Sequence, residues 1–239
     1  VRFEIDSPSL PIFIPQRHPN ASGFDDLIYG FGLEVIRGAS NAPTARYKKR
    51  VLYLPVNPNL LTNQFNVLAN GVFTLSDEYY YIYNVKQWIR MVNTSLQALF
   101  DAMRIDDSSN SIPLLDADTF ASAKAPFFEY DSGSGLISLY TTTHYLDALD
   151  TTRLRLFWNS PTNTIFGGFD TSVALTATSA LFDNTSPAEV GSHPSTYYQV
   201  NVSNPNNINS KVIGSTAFIQ STQSYPSMPM CSPIQNIVF

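Results

Sequence analysis

With 239 residues, 44% of them apolar, the chain has ample material for an ordinary buried core, which excludes a short disulfide scaffold and a disordered polymer. Only 14% of residues are charged, against about 25% in an average soluble domain, and Asn, Ser and Thr take up the difference. The net charge of -5 offers no whole-chain field to a polyanion, and Cys231 has no second cysteine for an internal disulfide or a thiolate metal site.

In chain order, Val1, Phe3 and Ile5 alternate with Arg2, Glu4 and Asp6 before Ser7 and Pro8, a half-buried strand pattern. Val1 in place of an initiating Met fits either a cleavage product or a piece of a longer chain, and no signal-peptide profile is expected here. Residues 10–14 read as a short apolar strand between Pro8 and Pro15. Residues 25–36 mix Leu27, Ile28, Phe31, Leu33, Val35 and Ile36 with two glycines, and helix and strand are both open there. The basic run Arg46, Lys48, Lys49 and Arg50 reads as a solvated loop leading into an apolar strand at 51–56. Further strands are expected at 72–75 and 79–83.

The period changes at residues 84–103, where Val85, Trp88, Ile89, Val92, Leu96, Leu99, Phe100 and Met103 recur at steps of three and four. That spacing predicts an amphipathic helix with Trp88, Val92, Leu96, Leu99 and Phe100 toward the core. Asn84 is a good N-cap, and Gln87 is placed to reach back in a capping box.

Residues 106–111 are polar and read as a loop, and 127–130, 131–135 and 136–140 read as strand, tight turn and strand. Leu154, Leu156 and Trp158 alternate with Arg153, Arg155 and Phe157 in a strand that stops at Asn159-Ser160-Pro161, the arginines facing solvent or an interface. Residues 165–169, 173–177, 197–202, 211–219 and 234–239 complete the strand candidates. No repeat and no composition shift divides the chain. The expected fold is all-β and mainly antiparallel, a single β-sandwich domain over 1–239 with one prominent helix at about 84–103 and extended terminal segments.

Chemistry is sparse. His18, His144 and His193 lie apart without ligand spacing, and His144 with Asp147 and Asp150 reads as a polar turn after a strand. Asp116 and Asp118 lack a third ligand, and Gly30-Phe31-Gly32 lacks the third glycine of a dinucleotide fingerprint. Ser134 between two glycines falls short of a nucleophile elbow and sits at a hairpin tip. Cys231 has no nearby histidine to activate it and reads as an inert thiol. No catalytic residue, metal or cofactor is expected. Sequons at Asn20, Asn93, Asn184 and Asn201 arise easily in so Asn-, Ser- and Thr-rich a chain. The longest apolar runs fall far below the roughly 18 residues that span a bilayer, so no membrane insertion is expected.

Few charges, many Asn, Ser, Thr, Pro and aromatics, and short strands joined by polar loops give this chain a style. With the 84–103 helix, Ala125-Pro126-Phe127-Phe128-Glu129-Tyr130, residues 136–140 and residues 155–159, it resembles the coat proteins of non-enveloped icosahedral viruses. The resemblance implies a jelly-roll-like sandwich and a structural virion protein, whether major, minor or penton-type. Its partners would be other copies of itself and other capsid proteins, and its location the virion. Arg46, Lys48, Lys49 and Arg50 would then face the genome or an acidic partner. Two other classes remain. A carbohydrate- or receptor-binding sandwich would stack ligands on residues 79–81 or on Tyr197 and Tyr198, and an enzyme would bring distant carboxylates such as Asp147 and Asp170 together in the fold. Proline at Val92 is expected to cost about 3 kcal/mol or more through the lost hydrogen bond and ring clash, read as a fall in the denaturation midpoint.

Overall fold

The computed structural model describes residues 10–15, 29–37, 43–51, 79–82, 85–109, 122–146, 152–174, 197–202 and 210–226. Within them the strands are β1 (Leu10–Pro15), β2 (Gly30–Ile36), β3 (Pro43–Arg50), β4 (Tyr79–Ile82), β5 (Phe127–Tyr130), β6 (Ile137–Thr141), β7 (Arg153–Asn159), β8 (Thr171–Ala174), β9 (Tyr197–Val200), β10 (Ser210–Ile213) and β11 (Thr216–Thr222). The α-helices are α1 (Val85–Ser109) and the short α2 (Ser160–Ile165). The pairings are antiparallel. They build a five-stranded sheet β3-β2-β7-β9-β8, a four-stranded sheet β10-β11-β6-β5, and the pair β1-β4. This is a jelly-roll-like β-sandwich.

Alternation decides which side chains enter the core. Phe31, Leu33 and Val35 of β2 lie beside Leu154, Leu156 and Trp158 of β7, and all six are buried. Phe128 of β5 meets this layer from the opposite sheet, its ring 6.3 Å from those of both Phe31 and Trp158. Helix α1 packs against β5, β3, β2 and β4. Trp88, Val92, Leu96, Leu99 and Phe100 are buried, along with Met91 and Met103. Each such burial contributes about 1.5–3 kcal/mol, so the stripe and not local propensity holds the helix in place.

Helix α1 also covers the edge of the four-stranded sheet. The Asn93 side chain donates from Nδ2 to the Phe128 carbonyl at 2.9 Å and accepts the Phe128 N–H at 2.8 Å, so one amide satisfies both backbone groups that a further strand would have taken. Strand β7 ends where Asn159 turns into the cap of α2. Its Oδ1 accepts from the Thr162 N–H at 3.3 Å and hydroxyl at 2.6 Å, and from the Gly30 N–H at 3.1 Å, while Pro161 occupies the first turn. After α2 the chain reverses through Gly168 at φ +91°, where an added Cβ would lie 2.7 Å from the Tyr225 carbonyl oxygen. Buried Gln223 fastens this reversal to the other sheet. Its Oε1 accepts the Ile137 N–H at 3.0 Å and its Nε2 donates to the Gly167 carbonyl.

Several expectations need correction. The basic run Arg46 to Arg50 is not a loop but part of β3, because Ala45 and Tyr47 pack toward the core and β2 supplies the backbone partners. Residues 106–109 continue α1 as helix, and 165–169 form the end of α2 and a turn instead of a strand. The 211–219 stretch is two strands around Gly214, whose φ of +62° makes the turn. Arg153 is buried and so does not face solvent. Residues 25–36 resolve toward strand at Gly30–Ile36. The expected strands at 1–6, 72–75 and 234–239 and the Asn84 cap lie outside the described residues, as does the 51–56 strand apart from buried Val51.

A row of charge crosses the face of the five-stranded sheet opposite Phe31, Leu33 and Trp158, where Glu34 pairs in register with Arg46 of β3 and Arg155 of β7. Arg46 Nε donates to Glu34 Oε1 at 2.8 Å. Burial pushes the Glu34 carboxyl above its ordinary 4.5, outweighing the Arg46 hydrogen bond and the fields of Arg46 and Arg155. A carboxyl raised in the folded state favours folding when protonated. Its contribution therefore grows as pH falls through the raised value and is absent well above it. Glu34→Gln, which keeps the acceptor but cannot ionise, is expected to flatten the pH dependence of the melting temperature above pH 4.5. A slope unchanged from wild type would count against this account. Gly168→Ala is expected to cost about 2 kcal/mol or more, since both the positive φ and the Tyr225 carbonyl oppose a Cβ, and chemical denaturation would show it.

Candidate functional site

Strand alternation splits the basic run. Arg46 and Lys48 stand on the side of β3 that faces Glu34 and Gly32 of β2, whereas Tyr47 and Lys49 share the side of Leu33 and Phe31. Arg46 is engaged by Glu34, Lys48 is half-buried and Lys49 is exposed. Arg50 closes the strand opposite Gly30. Arg46, Lys48 and Lys49 therefore line both sides of a strand at the sheet margin instead of one basic face. The helix residues Trp88, Val92, Leu96, Leu99 and Phe100 form no site, being wholly taken up in packing.

The polar candidates each have local partners. Ser134 donates from its hydroxyl to Asp131 Oδ2 at 2.6 Å in the β5–β6 turn, and Asp131 also accepts the Gly133 N–H at 2.9 Å. The Ser134 hydroxyl, with the Gly133 and Ser134 N–H groups, holds the Asp131 carboxyl below its usual range. These bonds shape a turn; they do not activate a nucleophile. His144 sits in a single 3₁₀ turn, Nε2 3.1 Å from the Ser122 hydroxyl and Nδ1 3.3 Å from that of Thr142. Nearby Tyr145 is buried, which pushes its phenol up. Asp147, Asp150, Asp116, Asp118 and Cys231 lie outside the described residues. Among the described residues no group of three or more His, Cys, Asp and Glu is placed to hold a metal ion.

Two sequon asparagines have structural duties. Asn93 binds Phe128, and Asn201 donates to Asp170 Oδ1 at 3.2 Å while accepting from Ser172 at 3.1 Å. Asn20 and Asn184 lie outside the described residues. The aromatic rings on the outer side of the four-stranded sheet are also engaged. Tyr140 stacks on Phe127 at 5.0 Å and carries Lys211 over its ring at 4.9 Å, while Lys211 pairs with Glu129. Tyr198 packs on the core. Tyr197 and Tyr198 are half-buried, and the side chains of residues 79–81 lie outside the described residues.

What the described surface does present is neutral and partly apolar at particular places. Val212 and Ile213 of β10 are 67% and 45% exposed, Val173 of β8 is 53% exposed, and Ile105 near the end of α1 is 66% exposed. Sequence reasoning gave no sign of these positions, because in strand and helix patterns each reads as a core residue. Asn93 and Gln223 were likewise silent, since an amide that replaces a strand partner has no spacing signature.

The family model of the Sputnik minor capsid protein V18/19 matches residues 1–239. Among solved structures, a chain of the Sputnik virophage determined by cryo-EM is similar with a TM-score of 0.52 and 20% identity, over 95% of this chain and 54% of that one. The mavirus penton protein is similar with a TM-score of 0.40 and 12% identity, over 83% of this chain and 43% of that one. The chain thus spans about half the length of the solved chains it matches. No curated protein matches. The Sputnik likeness accords with the sandwich described above, and the family match runs the whole length of the sequence. The chain belongs to the family of the Sputnik minor capsid protein V18/19, the structural proteins of a viral capsid.

Proposed function

We propose that this chain acts in the virion by assembly alone, without catalysis, as a minor capsid subunit that binds other copies of itself and other capsid proteins. The observation that carries the reading is the family match over residues 1–239. The surface chemistry supports it. With 14% of residues charged, contacts fall to neutral polar and apolar groups, which lose less on desolvation than charges do. Among the described residues no helix is long and apolar enough to cross a membrane.

Within this reading β3 is the genome-facing or acidic-partner-facing element, with Lys48 and Lys49 as the cations that meet phosphate and Arg46 held in place by Glu34. Arg50 extends the same strand. The test has two parts. Co-expressed with the other capsid proteins of its virus, the chain is expected in shells seen by electron microscopy and light scattering. A stable monomer that never enters a particle would sink the assembly reading. Lys48→Glu with Lys49→Glu is expected to lower the salt dependence of nucleic-acid binding by about two in the log–log slope. An unchanged slope would remove β3 from genome contact and leave assembly standing.

A further inference from the structure

The β10–β11 hairpin reaches past the sheet to which it belongs. Strand β6 pairs with β11 only from Ile219 to Thr222, whereas β10 pairs with it from Thr216 to Ile219, so residues 212–217 stand beyond the end of β6. Val212 is 67% exposed and Ile213 45% exposed, and Gly214, Ser215 and Ala217 are exposed as well. Alternation puts the two large apolar side chains on opposite faces of this arm, Ile213 on the face of Lys211 and Val212 on the other.

The turn fixes which backbone groups are spent. Gly214 and Ser215 alone separate the paired Ile213 and Thr216, so those two residues exchange their backbone bonds, and the alternation of an antiparallel ladder makes Lys211 and Phe218 the next bonded pair. The N–H and C=O of Val212 therefore point away from β11, toward the free edge of the four-stranded sheet. Among the described residues the most exposed large apolar side chain thus belongs to a residue whose backbone groups also face that edge.

We infer that β10 pairs antiparallel with β10 of a second copy of the chain, about a twofold axis at Val212. In that register the two Val212 residues exchange N–H···O=C bonds and lie side by side on one face, while on the other face Ile213 of each copy lies opposite Lys211 of the other. The Lys211 ammonium stays with Glu129 and over Tyr140 of its own copy, so its methylene stem is what meets Ile213. One register covers both exposed apolar residues and sets no like charges opposite each other. Strand β8 of a neighbour would do less, since Val173 against Val212 would set polar Ser172 opposite Ile213. The inference rests on the reading of the chain as a capsid subunit that meets copies of itself. Strands of four residues bury far less than the roughly 1,200 Å² of a stable complex, so the pairing is weak alone and adds to other contacts within an assembly.

Val212→Cys places a thiol on the proposed axis, where directly opposite bonded residues lie roughly 5.5 Å apart at Cα, within disulfide reach. On mild oxidation of the whole chain it is expected to give about ten times the disulfide-linked dimer of Ile105→Cys, a site 66% exposed, both read above the wild-type background set by Cys231. In the oxidised dimer, amide hydrogen exchange at position 212 is expected to slow about tenfold relative to the reduced protein, while the amides of Lys211 and Ile213, already bonded to β11, keep their rates. The substituted positions are exposed, and circular dichroism checks that each variant is folded. A yield no higher than that of Ile105→Cys overturns the pairing. So does a dimer whose amide at 212 exchanges as fast as in the reduced protein, since that is a tether without a ladder. Preferential cross-linking to Val173→Cys in a mixture overturns it as well, in favour of β8. Were the chain found in capsids without this behaviour, the pairing would fall and the capsid reading would stand. Ladder-forming dimers of a chain that never enters a particle would support the pairing and sink the capsid reading.

Discussion

The packing of Phe166 is the interaction on which the rest of the sandwich depends. Its ring stacks on Phe128 of the four-stranded sheet at 4.5 Å, on Trp158 of the five-stranded sheet at 5.5 Å and on Trp88 of α1 at 6.2 Å. Three layers therefore share one fully buried side chain. Stacked aromatic pairs contribute about 0.5–1.5 kcal/mol each beyond the burial of their area, so the position of this ring matters more than its hydrophobicity alone. Everything around it serves to place it. Asn159 caps α2 and ties it to Gly30 of β2, which fixes where the helix delivers Phe166. Gly168 then lets the chain turn away, and Gln223 binds that turn to Ile137 across the sandwich.

How much of this was legible in the sequence follows from what each element depends on. Helix α1 could be read because eight large apolar residues keep its period, and burial is what makes it a helix. Its last turn could not be read. Asp106, Asp107, Ser108 and Ser109 look like a loop, yet extending an existing helix adds a hydrogen bond per residue without a new nucleus. Strand β3 was hidden for a similar reason. Its cations mask the alternation of Ala45 and Tyr47, and the decisive contribution comes from β2, which is distant in the pattern although paired in space. Residues 165–169 were misread because the apolar run of Ile165, Phe166 and Phe169 suits a strand as well as a plug. Asn93 and Gln223 satisfy backbone groups 35 and 86 residues away, and such pairing leaves no mark on local sequence.

The low charge content has a structural counterpart. The described ion pairs are spent across strands: Arg46 holds β3 to Glu34 of β2, and Lys211 joins β10 to Glu129 of β5 while lying over Tyr140. In each case the charge fastens a marginal strand to the sheet. Glu34 shows the cost of this use, because even between two arginines its burial raises the carboxyl. With only 14% of residues charged, Asn, Ser, Thr and isolated apolar groups make up much of what is left to face the surroundings, a composition suited to large interfaces where unpaired charge is depleted.

The sheet edges carry this division further. An uncovered edge offers a row of backbone groups to any passing strand, and natural sheets guard it with charge, cover or brevity. Among the described residues β3 is guarded by Arg46, Lys48 and Lys49, and β5 by the Asn93 amide of α1. Among the described residues strands β8 and β10 show neither. Val173 and Val212 stand exposed there, and Lys211 is turned away toward Glu129. Their defence is brevity, at four residues each, with the Gly214 turn ending β10 at once. Edges so short gain too little from casual pairing to aggregate readily, yet they can add to a contact already held by other surfaces. For a protein of a capsid family that balance is useful, because subunits must stay apart until many weak contacts form together.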